Sequence, residues 1–184
     1  MRELLQILRD ILTFKRGPQD LPYAPNLTIA SVVAVLLIPL AVSVLFGDKP
    51  LSQTLPRLIV TNAVPIGLMY LLLHARGFNS RFMQTLLAQT LTSIVFLALA
   101  APLLWMLGDI SPESTRLMRP EQALPGLLFL VAAIWKLCVE AHILRHSLDV
   151  PFFAGMLVTI LIGIANVIVL AALFGERAAS AAGV

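Results

Sequence analysis

The sequence predicts an all-α polytopic membrane helix bundle with about five transmembrane helices and an N-terminal amphipathic helix. Apolar residues make up 59% of the chain and charged residues 12%. A soluble domain carries about 25% charged residues, so too few charges are present here to clothe a water-facing surface. The apolar residues also recur in stretches of about 20, the length that crosses a hydrocarbon core of about 30 Å at about 1.5 Å of rise per residue. The stretches between them are too short to bury a core of their own. The organisation expected is residues 1–24 as an amphipathic interfacial helix with a proline-rich connector, 25–175 as a five-span membrane domain, and 176–184 as a short tail.

The N-terminal helix is read from Leu4, Leu5, Leu8, Ile11 and Leu12 at helical spacing, with Arg2, Glu3, Gln6, Arg9 and Asp10 opposite them. Such a helix can lie on the membrane surface or pack on the protein's own cytoplasmic face. It lacks a cleavable signal pattern, so the first span is expected to serve as its own targeting signal. Pro18, Pro22 and Pro25 then force an extended connector. Asn26 can cap the first span, residues 27–46, which carries no charge.

A turn at residues 47–50 leads to a second span over about 55–73, with Pro56 as its first helical residue and Arg57 reaching the headgroups. The third covers about 82–107, long enough to tilt, with Gln84, Gln89, Thr90, Thr92 and Ser93 gathered in its first half. The fourth covers about 125–145 and the fifth, without charge, about 151–174. Pro39, Pro65 and Pro102 fall inside three spans, where each removes a backbone hydrogen bond and bends the helix.

Orientation follows from the basic residues. Arg2, Arg9, Lys15, Arg16, Arg76, Arg81 and Arg145 fall on one side, and Lys49, Arg57, Arg116, Arg119 and Arg177 on the other. Four of the first group precede the first span, which places the N-terminus in the cytoplasm and the C-terminus outside the inner membrane. The net charge of +3 is spread over helix ends without interleaved aromatics, so no nucleic acid partner is expected. The partners expected are the bilayer and other membrane proteins or a second copy. Cys138 is the single cysteine, which excludes an intramolecular disulfide and a cysteine-cluster metal site. No phosphate-binding glycine loop, nucleophile elbow or dinucleotide fingerprint occurs, so no catalytic residue, cofactor or metal is expected.

The chemistry concentrates in the fourth span. Too few apolar residues precede Lys136 to cross a bilayer, so Lys136 and Glu140 lie at membrane depth. Two central charges cost about 2.5–3.5 kcal/mol each, while about eleven Leu, Ile, Val and Phe residues return about 0.3–0.6 kcal/mol each. Insertion is therefore marginal, and the helix needs neighbours. Spacing of four lets the pair neutralise itself. It serves either as a relay or substrate contact, or as a self-satisfied pair that orients the helix. The second reading is preferred because no third ionisable residue stands at similar depth. His142 and His146 share another face; a zinc-protease helix would carry Glu where Ile143 stands, so they mark the helix end. Asn62, Gln84, Gln89 and Asn166 are expected to hydrogen-bond between helices at about 0.6–2 kcal/mol each. The candidate residues are thus Lys136, Glu140, His142, Asn62 and Gln89. No pair of glycines stands four apart within a span, so no dimerisation motif is read.

Two stretches resemble the Yip family, five-span membrane proteins named for interaction with Rab-type GTPases, and its bacterial relatives. Asp20, Leu21, Pro22, Tyr23, Ala24 and Pro25, running into the first span, look like that family's Asp-Leu-Tyr-Gly-Pro motif. Trp135, His142 and Ser147, followed by a short connector into the last span, are similar as well. Pro22 interrupts the motif, Ala24 replaces its glycine, and the long cytosolic N-terminal region of eukaryotic members is missing, so GTPase binding is not carried over. The resemblance implies a non-enzymatic protein that associates with membrane proteins or organises membranes. The alternative is a small transporter or channel component using Lys136 and Glu140.

Overall fold

A computed structural model describes residues 2–46, 50–108 and 120–181. Among these residues the chain is all α apart from short 3-10 turns, with helices α1 (Arg2–Leu12), α2 (Pro25–Phe46), α3 (Leu51–Ala75), α4 (Phe82–Leu107), α5 (Pro120–Leu148) and α6 (Phe152–Ala181). Five of them, α2 to α6, contain segments long and apolar enough to cross a membrane. They form a ring: α2 packs on α4, α4 on α5, α5 on α6, α6 on α3, and α3 back on α2. The outside of the ring is apolar, with Leu37, Ile59, Leu71, Leu104, Val131, Leu157 and Ile168 exposed. In water such a surface would aggregate; facing lipid tails it needs no cover. The chain is a multi-pass membrane protein.

Three helices begin earlier than the sequence reading placed them; α2 starts at Pro25, so Asn26 lies inside it and does not cap it. Pro50, in extended conformation at ψ 145°, is the boundary residue of α3, and Pro56 lies inside the helix rather than at its start. Pro56 faces outward, so its lost hydrogen bond falls on the exposed side of the first turns. Likewise α5 begins at Pro120, whose fixed φ suits a first helical residue, and Pro125 is internal. The expected turn at 47–49 and most of the connector before the fourth span, 109–119, lie outside the described residues. The helical backbone of α6 continues to Ala181, beyond the apolar segment that ends at Gly175.

The first helix packs on the bundle. Its buried stripe is Ile7, Leu8 and Ile11 with Leu4 beside it, and Leu5 points outward at 61% exposure. The stripe is thus slightly rotated from the expected Leu4, Leu5, Leu8, Ile11 and Leu12: Ile7 takes the place of Leu5 against α4 and α5, while Leu12 still packs beside the core. Ile7 and Ile11 share a core with Leu87 and Ala88 of α4 and Val139 and Ile143 of α5. A Schellman turn ends α1: the Lys15 N–H reaches Asp10 O at 2.8 Å and the Phe14 N–H reaches Ile11 O at 3.0 Å. Phe14 holds the left-handed position, φ 62°, that glycine normally fills.

The connector is tied to the bundle by polar contacts. Trp135 Nε1 donates to Leu12 O at 3.3 Å, His142 Nε2 lies 2.9 Å from Arg16 O, and Gln84 Nε2 donates to Leu21 O at 2.6 Å. Leu21 is 1% exposed. Residues 2–24 therefore form a strap along the first turns of α4 and the last four turns of α5. Close packing of α5 on α6 depends on Gly155, where a Cβ would stand 2.6 Å from Ala141 O. One small residue lets two backbones approach, the usual device where lipid removes the hydrophobic drive between helices.

Candidate functional site

Inside the ring lies a chamber of about 300 Å³ walled by all five spans. Helix α2 contributes Val35, α3 contributes Asn62 and Pro65, α4 contributes Gln89 and Ser93, α5 contributes Lys136 and Glu140, and α6 contributes Thr159 and Asn166. Counted from the helix ends beside the strap, Gln89, Glu140 and Thr159 stand about 10–12 Å deep and Ser93, Lys136, Asn62 and Asn166 about 17–21 Å deep. The polar groups therefore gather near the middle of a slab of about 30 Å.

The ion pair is intact within α5, Lys136 Nζ to Glu140 Oε1, and both side chains border the chamber. They keep 23% and 22% exposure, so the pair is only partly desolvated. Lys136 Nζ also stands 5.5 Å from the centre of the Phe96 ring, a cation–π contact that disperses its charge. Among the described residues no further ionisable group lines the wall. The amide of Gln89 has no hydrogen-bond partner among the described residues and is open to the chamber.

Proline chemistry shapes the opposite wall. Pro65 cannot donate to Thr61 O, four residues earlier, and its ring pushes that carbonyl off the helix axis. Asn166 Nδ2 of α6 donates to the freed oxygen at 3.3 Å. This holds α6 to α3, and it leaves Asn166 Oδ1 buried without a partner. Pro39 stands in the same relation to Val35, the α2 residue of the wall. Thr90 Oγ1 and Ser31 Oγ, 2.7 Å apart, join α4 to α2 at the chamber's edge. Between the chamber and the strap end of the ring, Met69, Leu73, Leu86, Leu144 and Leu148 form a buried apolar seal.

Of the five sequence candidates, Lys136, Glu140, Asn62 and Gln89 meet at this chamber. His142 does not: it projects from the opposite face of α5, where its ring meets Phe14 edge-on at 5.4 Å and His146 at 4.7 Å. The expected interhelical roles divide. Asn166 bridges two spans, but Asn62 Nδ2 turns back to Leu58 O of its own helix at 2.8 Å. Gln84 holds the connector, and Gln89 is unpaired among the described residues. Thr159 and Gly163 escaped sequence reasoning, and Ser93 was noted only among the polar residues of the third span; for Asn166 the available signal was that Pro65 frees the Thr61 carbonyl and so calls for a donor from a neighbouring span. Among the described residues no group of three or more His, Cys, Asp or Glu side chains converges to hold a metal ion.

Comparison with protein-family models, with curated proteins and with solved structures finds no match to this chain. The resemblance to the Yip family thus rests on the motif residues alone.

Proposed function

We propose that the chain is a non-enzymatic protein of the inner membrane, N-terminus in the cytoplasm and C-terminus outside, whose chamber holds a small polar or zwitterionic solute as part of a transport or channel system. The observation that carries this reading is the convergence of an ion pair, two amides and hydroxyls from different helices on one space at mid-membrane depth. A self-satisfied pair needs no such company, and intramembrane ionisable groups facing a cavity mark solute paths. At about 300 Å³ the chamber matches the small end of ligand pockets. Lys136 and Glu140 offer one charge of each sign, the complement of a zwitterion. Orientation is supported by Arg2, Arg9, Lys15, Arg16, Arg76, Arg81 and Arg145, all at the strap end.

The experiment is stopped-flow light scattering of proteoliposomes challenged with glycine, urea or potassium chloride. The wild-type chain is expected to speed re-swelling with at least one of these, and the folded K136L/E140L variant to abolish the gain. Equal traces for wild type, variant and empty liposomes with all three would remove the proposal.

A membrane-organising role of the Yip type is favoured by a different observation. Leu21, Trp135, His142 and Ser147, which carry the resemblance, all lie at the seam where the strap joins the bundle, Ser147 in a small recess it shares with Pro18 and Gln19. On this reading the strap is the surface presented to partners. A stable monomer in native membranes, with no adduct after mild crosslinking, counts against it. The marginal insertion of α5 does not itself call for a partner, since α4, α6 and the strap already flank that helix.

A further inference from the structure

Opposite the chamber, a second face of α5 borders an open groove of about 530 Å³ between the strap and the start of α6. Its mouth carries Lys15, Arg145 and His146, and Phe14 and Phe152 form its flanks. Among the described residues the ion pairs are Arg9–Asp10, Arg16–Asp10 and Lys136–Glu140, so neither Lys15 nor Arg145 is neutralised. Asp20 and Asp149 act on His146 from nearby, yet neither pairs with it. The His146 ring has no hydrogen-bond partner among the described residues and stacks edge-on against His142. Two cationic groups, Lys15 and Arg145, thus share an opening with no carboxylate bound to them.

The groove deepens to Cys138, and below it the same face of α5 continues as Ile134, Val131 and Leu127. These three are 53%, 57% and 58% exposed. The spacing of three and four keeps them in line under Cys138. From Cys138 to Leu127 the helix runs about 16 Å, close to half of a bilayer of about 30 Å. Basic charge at the level of the headgroups stands directly above an apolar track one leaflet long.

We propose that this groove binds an anionic phospholipid of the leaflet on the strap side, its phosphodiester between Lys15 and Arg145 and one acyl chain along Ile134, Val131 and Leu127. Basic pockets between spans on the cytoplasmic side take anionic headgroups, each Lys or Arg near the surface adding to the attraction. A free phosphate ion would use the same cations but gain nothing from the track. The left-handed Phe14, held where glycine would relax the backbone, sets its ring as one flank and so shapes the groove. This site is independent of the chamber, because α5 presents the two on opposite faces.

The test is ligand retention by the full chain in detergent, titrated with dioleoylphosphatidylglycerol, dioleoylphosphatidylcholine or inorganic phosphate and read by native mass spectrometry. The phosphatidylglycerol is expected to bind at least about tenfold tighter than the phosphatidylcholine. The K15Q variant should lose roughly fivefold and K15Q/R145Q about 25-fold, from the worth of each basic charge. The R57Q control, at the far end of the bundle, should lose nothing. The Lys15 side chain is exposed and makes no hydrogen bond among the described residues, and the Lys15 N–H bond to Asp10 O survives the substitution, so K15Q tests the site without threatening the fold. Equal binding of the two lipids, undiminished binding by K15Q and K15Q/R145Q, or inorganic phosphate binding as tightly as phosphatidylglycerol each overturns the proposal.

Discussion

Substitution of Lys136 or Glu140 singly is predicted to harm stability far more than substitution of both. At contact distance two unit charges attract by about 4 kcal/mol at an effective dielectric constant of about 20. Removing one partner by K136L or E140L forfeits that attraction and strands the other charge at mid-depth. Breaking a fully buried pair costs about 3–5 kcal/mol. Here the side chains keep 23% and 22% exposure, and the Gln89 amide on the same wall can recover part of the loss, so each single variant is expected to cost about 2 kcal/mol. The K136L/E140L variant loses the attraction but also the insertion cost of two charges, of about 2.5–3.5 kcal/mol each, and should lie within about 1 kcal/mol of wild type. The coupling energy is then about 3 kcal/mol, the upper end of what contacting residues show. The assay is reversible unfolding in mixed micelles of rising dodecyl sulfate fraction, followed by tryptophan fluorescence. Single-variant losses that simply add to the double-variant loss would refute the claim that the charges meet in a partly dry chamber.

Four further outcomes follow from the same geometry. In a C138S background, S93C is expected to react with a small water-borne thiol reagent, and L73A, which thins the seal, to speed reaction from the strap side; no labelling in either variant would show the chamber closed to water. N166L should cost about 1–3 kcal/mol by orphaning the Thr61 carbonyl, whereas P65L/N166L should recover most of it, since a non-proline residue restores the helical donor; no recovery in micelle unfolding would break the link between the two positions. G155L should cost about 1–3 kcal/mol because its side chain meets the Ala141 carbonyl, and crosslinking between cysteines placed on α5 and α6 should fall with it. Trp135→Phe and His142→Leu, which free Leu12 O and Arg16 O, should expose the bonds after Lys15 and Arg16 to trypsin; unchanged digestion rates would mean that apolar packing alone holds the strap.

Much of the architecture was legible because bilayers impose severe rules on a chain. An uncharged run such as residues 27–46 has few options in lipid other than a helix, since every backbone polar group must be satisfied within the segment. The five spans, the amphipathic start and the ion pair at spacing four all follow from such local rules. Boundaries were less legible at Pro56 and Pro125, where a proline fits a first helical position but is also tolerated further inside, on the exposed side at Pro56 and buried at Pro125. In the stripe of α1 one residue of five, Leu5, faces away and Ile7 replaces it, because Leu4, Leu5, Ile7 and Leu8 offer two nearly equivalent faces and only the surface of α4 and α5 chooses between them.

An all-α membrane protein, with Lys136 and Glu140 within reach of each other well inside the fourth span, can be read from the residues alone, because spacing along one helix and the thickness of lipid are one-dimensional quantities. That Asn62, Gln89, Ser93, Thr159 and Asn166 share a chamber with that pair, and Lys15 and Arg145 a groove on the other side of the same helix, emerges only from the packed bundle. Those gatherings depend on the order of helices around the ring and on the rotation of each about its axis. Such rotations are set by close contacts between distant residues, as where Gly155 admits Ala141 or where Asn166 answers the carbonyl that Pro65 sets free.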